Sequence, residues 1–221
     1  MKVIITGATG MVGQGVLLEC IESPEVTSVL VVNRRPIELQ HAKIKEVIHN
    51  DLSDISAIEE QLKGFDACFF CLGVSSLGLN EDQYRAITYD ITLNFARTLL
   101  KYNPGIIFNY VSGLGTDSSE TSRQMWARVK GKTENDLLNL PFRHATMFRP
   151  GIIIPEKGVK VGKTWYNKLY TLLKPFNSML MKLSSVTSTS RVGKAMIKTA
   201  LKKPGKSHLE NHDINEIAEN D

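Results

Sequence analysis

Val3-Ile4-Ile5-Thr6-Gly7-Ala8-Thr9-Gly10-Met11-Val12-Gly13 passes from an unbroken apolar run through a glycine turn into residues of helical spacing. An apolar run without polar alternation suits a strand covered on both faces. Gly7 permits a tight reversal, Gly10 lets backbone approach a ligand with no Cβ in the way, and Gly13 allows the helix to pack close on the strand. The helix N-terminus offers amides that its own backbone leaves without partners, which is an anion site. The spacing is G-x-x-G-x-x-G, and its place between a first strand and a first helix identifies it as a dinucleotide-binding turn. Thr9, Met11 and Val12 complete the surface expected to face the pyrophosphate.

Outward from this turn, short β-branched runs alternate with longer amphipathic stretches. Residues 2–6, 28–33, 46–49, 67–72, 106–111 and 144–149 read as strands. Residues 11–22, 55–63, 82–101 and 123–140 carry apolar side chains at helical spacing. Strands joined by helical crossovers give a parallel sheet, and right-handed crossovers favour a doubly wound α/β Rossmann sheet in the order 3-2-1-4-5-6. After Gly151 the alternation stops. Helices are expected at about 164–183, interrupted at Pro175, and at 189–201. The first would set Trp165, Leu169, Leu172, Leu173, Phe176, Leu180 and Leu183 beside Lys168, Lys174 and Lys182, and covering the substrate side of the sheet is its expected role. Residues 1–206 thus form one domain, with 151–206 as a helical extension and 207–221 as an acidic, partly mobile tail.

In such sheets ligands sit outside the C-terminal ends of the strands. At the end of the second strand, an NAD site commonly places a carboxylate against the ribose hydroxyls; here stand Asn33, Arg34 and Arg35. Guanidinium groups suit a 2′-phosphate, so the cofactor expected is NADP, with NAD second. Asp51 and Leu52 are placed to meet the adenine edge, and Cys71, Leu72 and Gly73 to run beside ribose and pyrophosphate.

The 221 residues, 24.6 kDa, 42% hydrophobic and 23% charged content and mean hydropathy of -0.13 describe a globular domain and argue against disorder and a polytopic membrane protein. No apolar stretch reaches a membrane-spanning length and the start lacks a signal-like run, so the expected location is cytoplasmic. The net charge of +4 is unevenly spread: residues 1–150 carry 15 Lys and Arg against 17 Asp and Glu, 151–206 carry 12 against 1, and 207–221 carry 0 against 5. Solubility explains most of this, with an anionic substrate or acidic surface as the specific alternative. Cys20, Cys68 and Cys71 are too few for a disulfide framework, and the Cys68 and Cys71 side chains of a strand point to opposite faces. Five histidines lack catalytic-zinc spacing, and no nucleic-acid motif accompanies the basic segment; neither a metal nor a nucleic-acid partner is expected.

The fingerprint from Thr6 to Gly13, the Leu72-Gly73 turn, Tyr110-Val111-Ser112, Lys130-Gly131 and Arg149-Pro150-Gly151 resemble the short-chain dehydrogenase/reductase superfamily. The similarity is to its extended or atypical branch, among NAD(P)-binding proteins related to Tat-interacting protein and NmrA-like sensors, often labelled epimerase/dehydratase-like. It spans about residues 1–201 and implies that Pro150 also borders the cofactor. Active members use Ser, Tyr and Lys, with the tyrosine four residues before the lysine. Ser112 and Lys130 match, but Trp126 stands at the tyrosine position. An indole N–H donates a hydrogen bond but does not exchange a proton near neutral pH.

Three readings follow. In the first the protein is an oxidoreductase or lyase exchanging hydride with a small carbonyl or hydroxyl compound. Ser112 then polarises the reacting oxygen, Lys130 orients the ribose, and Tyr110, Tyr84, Tyr89 or Tyr166 supplies the proton. In the second it is a cofactor-dependent sensor or scaffold with Trp126 as a pocket wall; in the third Trp126 is ordinary core and the motif alignment is off by a turn. Asp117, Ser118, Ser119 and Glu120 are expected to cap the helix that carries Lys130, and pairing of exposed crossover helices would allow a homodimer.

Overall fold

A computed structural model describes residues 1–159, 180–181 and 183–220. The predicted strands appear as β1 (Lys2–Thr6), β2 (Ser28–Asn33), β3 (Ile44–Ile48), β4 (Ala67–Phe70), β5 (Ile107–Val111) and β6 (Ala145–Arg149). They pair in parallel in the order β3-β2-β1-β4-β5-β6, as the crossover argument requires. Side chains alternate across the sheet. Val3, Ile5, Val29 and Val31 pack on one side, and Ile4, Leu30, Val32 and Cys68 on the other. Both faces are covered, which is why these strands read as continuous apolar runs. Cys71 packs against the face opposite to Cys68, so the two thiols stay apart, and burial pushes the Cys71 thiol up to about 12.

Helix α1 (Met11–Glu22) lies on the first face and crosses Thr189–Leu201, the last helix expected from the sequence. The crossing is close because it is built on glycines. A Cβ on Gly15 would lie 2.4 Å from the Thr189 Cβ, and one on Gly193 would lie 2.6 Å from the Glu19 Cγ. The stretch expected as one helix over 82–101 is α2 (Glu81–Arg85), a π-turn segment (Ala86–Asp90) and α3 (Ile91–Tyr102). Asn80 starts α2 with a reciprocal capping box to Gln83. The segment expected as a helix over 55–63 is instead a 3-10 turn at Ser56–Leu62. Helix α4 (Met125–Leu138) covers the second face.

The C-terminal residues differ from expectation. After a small parallel pair, β7 (Ile152–Ile154) with β8 (Val186–Ser188), comes α5 (Thr189–Leu201); then β9 (His208–Glu210) adds a seventh parallel strand beside β6, and α6 (Asn211–Glu219) follows. The acidic stretch is therefore part of the fold rather than a mobile tail. Its apolar residues Leu209, Ile214 and Ala218 enter the core while the carboxylates face outward, and β9 covers what would be an open edge of the sheet. The helix expected over 164–183, with its apolar stripe, neighbouring lysines and Tyr166, falls mostly outside the described residues.

Candidate functional site

The strands β1, β2, β4, β5 and β6 are parallel, so their C-terminal ends lie along one edge of the sheet. At its β1 end Gly7 adopts φ +70°, and a Cβ there would lie 2.7 Å from the Cys71 carbonyl carbon and oxygen. A Cβ on Gly13 would lie 2.2 Å from the Gly7 carbonyl oxygen, so β1, β4 and α1 meet only because these positions lack side chains. Gly10 begins α1 without a capping side chain, leaving the first-turn amides of Met11, Val12 and Gly13 to a ligand. Thr6 Oγ1 accepts from the Leu72 N–H at 3.3 Å, fixing the Leu72-Gly73 turn next to the glycine turn.

At the exit of β2, Asn33 is 3% exposed and its Oδ1 accepts from the Ala8 N–H at 3.2 Å. Its Nδ2 has no partner among the described residues. A glycine turn that lets β1, β4 and α1 close together, the uncapped helix amides beyond it and an orphaned amide donor together fit a dinucleotide. Arg34 and Arg35 follow, both exposed, and neither forms an ion pair among the described residues. The glycine turn, α1 and residues 36–39 enclose a cleft of about 420 Å³. The Asp51 carboxylate accepts from the Ser53 N–H and Oγ, which hold it below its ordinary range. The Leu52 side chain goes into the core.

At the other end, Lys130 Nζ donates to the Ser112 carbonyl oxygen at 2.6 Å. Desolvation brings this amine down to about 8, with the Glu134 carboxylate pulling the opposite way. Trp126 lies one helical turn earlier and packs on Gly115, where an added Cβ would lie 3.2 Å from the indole Cη2. Of the four tyrosines proposed as substitutes, Tyr166 lies outside the described residues and the other three are committed elsewhere. Tyr110 is 1% exposed, lies under Lys130 with its ring centre 5.8 Å from Nζ, and is held un-ionised mainly by burial. Tyr84 is buried, and Tyr89 donates to Asp136 Oδ2 at 2.5 Å.

Glu134, which the sequence reading did not single out, and Arg149, quoted there only within the Arg149-Pro150-Gly151 motif, dominate this end. Ser112 Oγ lies 2.5 Å from Glu134 Oε1 and 3.1 Å from the Phe148 carbonyl oxygen, both within the protein. The Arg149 Nε is 3.0 and 3.1 Å from the two Glu134 oxygens, and its Nη2 donates to both Glu134 Oε2 and Ser118 Oγ. His208 Nε2, on β9, stands 3.5 Å from the same carboxylate. Burial works to raise the Glu134 carboxyl, but the groups donating to it outweigh that and hold it below its usual range. The available signal was spacing: Glu134 follows Lys130 by four residues on one helical face.

The loop before α4 also departs from expectation. Asp117 does not cap the helix; its carboxylate accepts from the Ser119, Thr121 and Ser122 amides, chiefly with the Ser119 hydroxyl holding it at about 2. The helix begins at Gln124 with no side-chain cap. The loop bears on α4 at Gly131, where a Cβ would lie 1.7 Å from the Asp117 carbonyl oxygen. Pro150 accepts from the Leu114 N–H through its carbonyl, and the exposed Leu114 and Ile152 give this end an apolar rim. Among the described residues no cluster of His, Cys, Asp and Glu could hold a metal, and no helix is long and apolar enough to cross a membrane.

The profile of the NAD dependent epimerase/dehydratase family matches residues 3–120. The mitochondrial protein FMP52 of Meyerozyma guilliermondii is 27% identical over 214 residues, covering 91% of this chain and 86% of that protein. HTATIP2 of Rattus norvegicus is 27% identical, covering 71% of this chain and 64% of that protein. Among solved structures, a putative NAD-dependent epimerase/dehydratase from Bacillus halodurans superposes with a TM-score of 0.69 at 17% identity, covering 99% of both chains. The expected cytoplasmic location is corrected by these relatives: several FMP52 proteins are named mitochondrial, and the lack of a signal-like run did not decide the compartment.

Proposed function

Because the chain belongs to the NAD dependent epimerase/dehydratase family, within the atypical short-chain dehydrogenase/reductase superfamily, we propose that it binds NADP(H) and acts as a nucleotide-dependent sensor or scaffold. The observation that carries this reading is the state of the expected proton-transfer groups. Trp126 replaces the tyrosine, and the Ser112 hydroxyl is held against the buried Glu134 carboxylate instead of standing free for a substrate oxygen. Gly7, Gly10, Gly13 and the α1 amides would hold the pyrophosphate. Asn33, Arg34 and Arg35 present donors where a 2′-phosphate belongs, in place of the carboxylate that commonly ends the second strand to accept from ribose hydroxyls. Lys130 fixes the end of β5 through the Ser112 carbonyl and would orient the nicotinamide ribose.

A second reading keeps the enzyme, an oxidoreductase acting on a small carbonyl or hydroxyl compound. A bound nicotinamide would supply hydride chemistry. The observation favouring it is Lys130, whose amine at about 8 can release a proton from Nζ near neutral pH. Titration with NADPH, NADH, NADP and NAD, followed by a carbonyl panel with NADPH, separates the two. The sensor reading expects NADPH to bind tighter than NADH and no turnover. Turnover that disappears in Lys130→Met establishes the enzyme, and tighter binding of NADH refutes the assignment of Arg34 and Arg35.

A further inference from the structure

Past its last residues β6 loses both of its ladders: pairing with β5 ends at Phe148 and pairing with β9 at Arg149. Pro150 comes next and has no N–H, so the first main-chain donor beyond the strand belongs to Gly151. That donor is taken by a side chain from the far end of the sequence, the Oδ1 of Asn211, at 3.0 Å. The Asn211 Nδ2 donates to the Ile152 carbonyl at 3.3 Å and to the Ser185 carbonyl at 2.5 Å. From the β5 side, the Leu114 N–H donates to the Pro150 carbonyl at 3.0 Å. A Cβ on Gly151 would lie 2.9 Å from Leu114 Cδ2 and 3.4 Å from Asn211 Nδ2, so the turn is gripped between the loop after β5 and the first residue of α6.

Helix α6 has other means of starting and docking. The Glu210 carboxylate accepts from the Asp213 N–H while the Glu210 N–H donates to the Asp213 carboxylate, which closes a capping box around the first turn. Leu209, Ile214 and Ala218 bury the segment. Asn215, four residues on and so on the same helical face, donates through Nδ2 to the Val186 carbonyl at 2.8 Å and holds α6 to β8. The Asn211 carboxamide, in a residue 5% exposed, is thus left for the β6 exit, and two of its three bonds go to Gly151 and Ile152.

A doubly wound sheet seats a dinucleotide across the point where the strand order reverses, one half on each side. Here the reversal lies between β1 and β4, so the second half extends over the ends of β4, β5 and β6. β6 is three strands from β1, about 14 Å at the usual strand spacing, within the span of an extended dinucleotide. We propose that Asn211 is a positioning residue for the half of the dinucleotide that carries the nicotinamide. It touches no ligand atom; by fixing Gly151 it sets the Pro150-Gly151 turn that borders this half, and it makes the C-terminal helix part of the nucleotide site. This role rests on the reading of the glycine turn as a dinucleotide site, and it adds a residue 60 positions beyond Gly151, in the stretch whose composition resembles a solvated tail.

The test uses the full chain and two pairs of probes, NADPH with 2′,5′-ADP and NADH with 5′-AMP. Within each pair the adenosine end is shared and only the dinucleotide carries the nicotinamide half, so the ratio of the two affinities, read by titration calorimetry, reports that half. Wild type is expected to bind the dinucleotide of its preferred pair about 10-fold or more tighter than the fragment. Asn211→Ala is expected to lose about 10-fold or more in dinucleotide affinity while the fragment is unchanged. Asn215→Ala, which loosens α6 from β8 and leaves Gly151 bonded, is the control: its thermal stability should fall and its ratio should match wild type. Unchanged dinucleotide affinity in Asn211→Ala overturns the proposal, as does equal weakening of dinucleotide and fragment, or an equal fall of the ratio in Asn215→Ala; each would make Asn211 a contact of the fold alone. A wild type that binds the dinucleotide no tighter than the fragment overturns it as well, and one that binds none of the four probes overturns the dinucleotide reading itself. Should Asn211→Ala not fold, hydrogen exchange of the Gly151 amide in wild type carries the test: saturation with the dinucleotide should slow it about 3-fold or more relative to saturation with the fragment, and equal exchange is the refuting result.

Discussion

Glu134→Gln is the substitution that most directly tests how the site is held. The carboxylate is fully buried, and its partner Arg149 has 13% of its side chain exposed, so removing the negative charge strands a guanidinium in the protein. Breaking one side of a buried ion pair costs about 3–5 kcal/mol. Glutamine keeps an oxygen for the Ser112 hydroxyl, which retains about 1 kcal/mol, and Arg149 keeps Ser118 as an acceptor. The expected loss is therefore about 2–3 kcal/mol, measured by urea unfolding at pH 7. Replacing both partners, Glu134→Leu with Arg149→Met, should cost clearly less than the sum of the single replacements. The pH dependence has a definite sign. The Glu134 carboxyl is depressed in the folded protein, so its contribution is present above the unfolded carboxylate value of about 4.5 and is lost as pH falls through the folded value. The gap between wild type and Glu134→Gln should narrow below about pH 4. A loss under about 1 kcal/mol at pH 7, or additive single replacements, would refute the claim that this pair fixes the end of β5.

Two further substitutions test particular contacts. Gly131→Ala should cost about 2 kcal/mol or more in chemical unfolding, because the added Cβ would sit 1.7 Å from the Asp117 carbonyl oxygen and backbone must move. Gly205→Ala, with nothing within 4 Å of the new Cβ, serves as its control and should stay within about 0.5 kcal/mol. Lys130→Met should stabilise the protein at pH 7. Desolvation lowers the amine from 10.5 to about 8, a cost of about 3 kcal/mol at full charge. Losing the bond to the Ser112 carbonyl takes back about 1 kcal/mol, and residual exposure of the amine trims the rest, leaving a gain of about 1 kcal/mol. Because the folded amine is depressed, the unfolded chain binds more protons between about pH 8 and 10.5, so wild-type stability should rise relative to Lys130→Met across that window. A variant no more stable than wild type at pH 7 would refute this account of the amine.

The first strand, its glycine turn and α1 were legible because the constraint is local: three glycines at set spacing, with Gly13 meeting Gly7 across a single turn. The order of the first six strands was legible because apolar period and crossover handedness are properties of consecutive segments. β9 and α6 were not. A three-residue strand has no period to detect, and Leu209, Ile214 and Ala218 are sparse among acidic neighbours, so the segment resembles a solvated tail until β6 presents an edge for it to pair with. The same limit applies in the site. Ser112 and Lys130 stand side by side, the amine on the Ser112 carbonyl, but which way a hydroxyl points depends on what else is buried beside it. A glutamate on a helix reads as a surface charge, and only the packing of α4 against β5 and β6 joins Glu134 to Arg149 and turns Ser112 inward.

That inward bond also sets how far chemistry could be restored by returning the missing tyrosine. A hydrogen bond to a buried carboxylate contributes about 1.5–3 kcal/mol, so a Ser112 hydroxyl free to reach a substrate oxygen would be populated only about 1% to 10% of the time. A positioned proton donor contributes about 10²–10⁴-fold. Trp126→Tyr, placing a phenol one turn before Lys130, should therefore bring carbonyl reduction by NADPH to about 10-fold to 10²-fold above the uncatalysed background at which the Trp126 protein is expected to stay, below the full range, because Ser112 remains withheld. Adding Glu134→Gln weakens the competing bond to that of a neutral acceptor, about 1 kcal/mol, and should raise turnover several-fold further while lowering stability. Activity and stability would then move in opposite directions on one residue, which a mere loss of packing does not produce. Turnover in the double variant at or below that of Trp126→Tyr would show that Glu134 supports the site in another way.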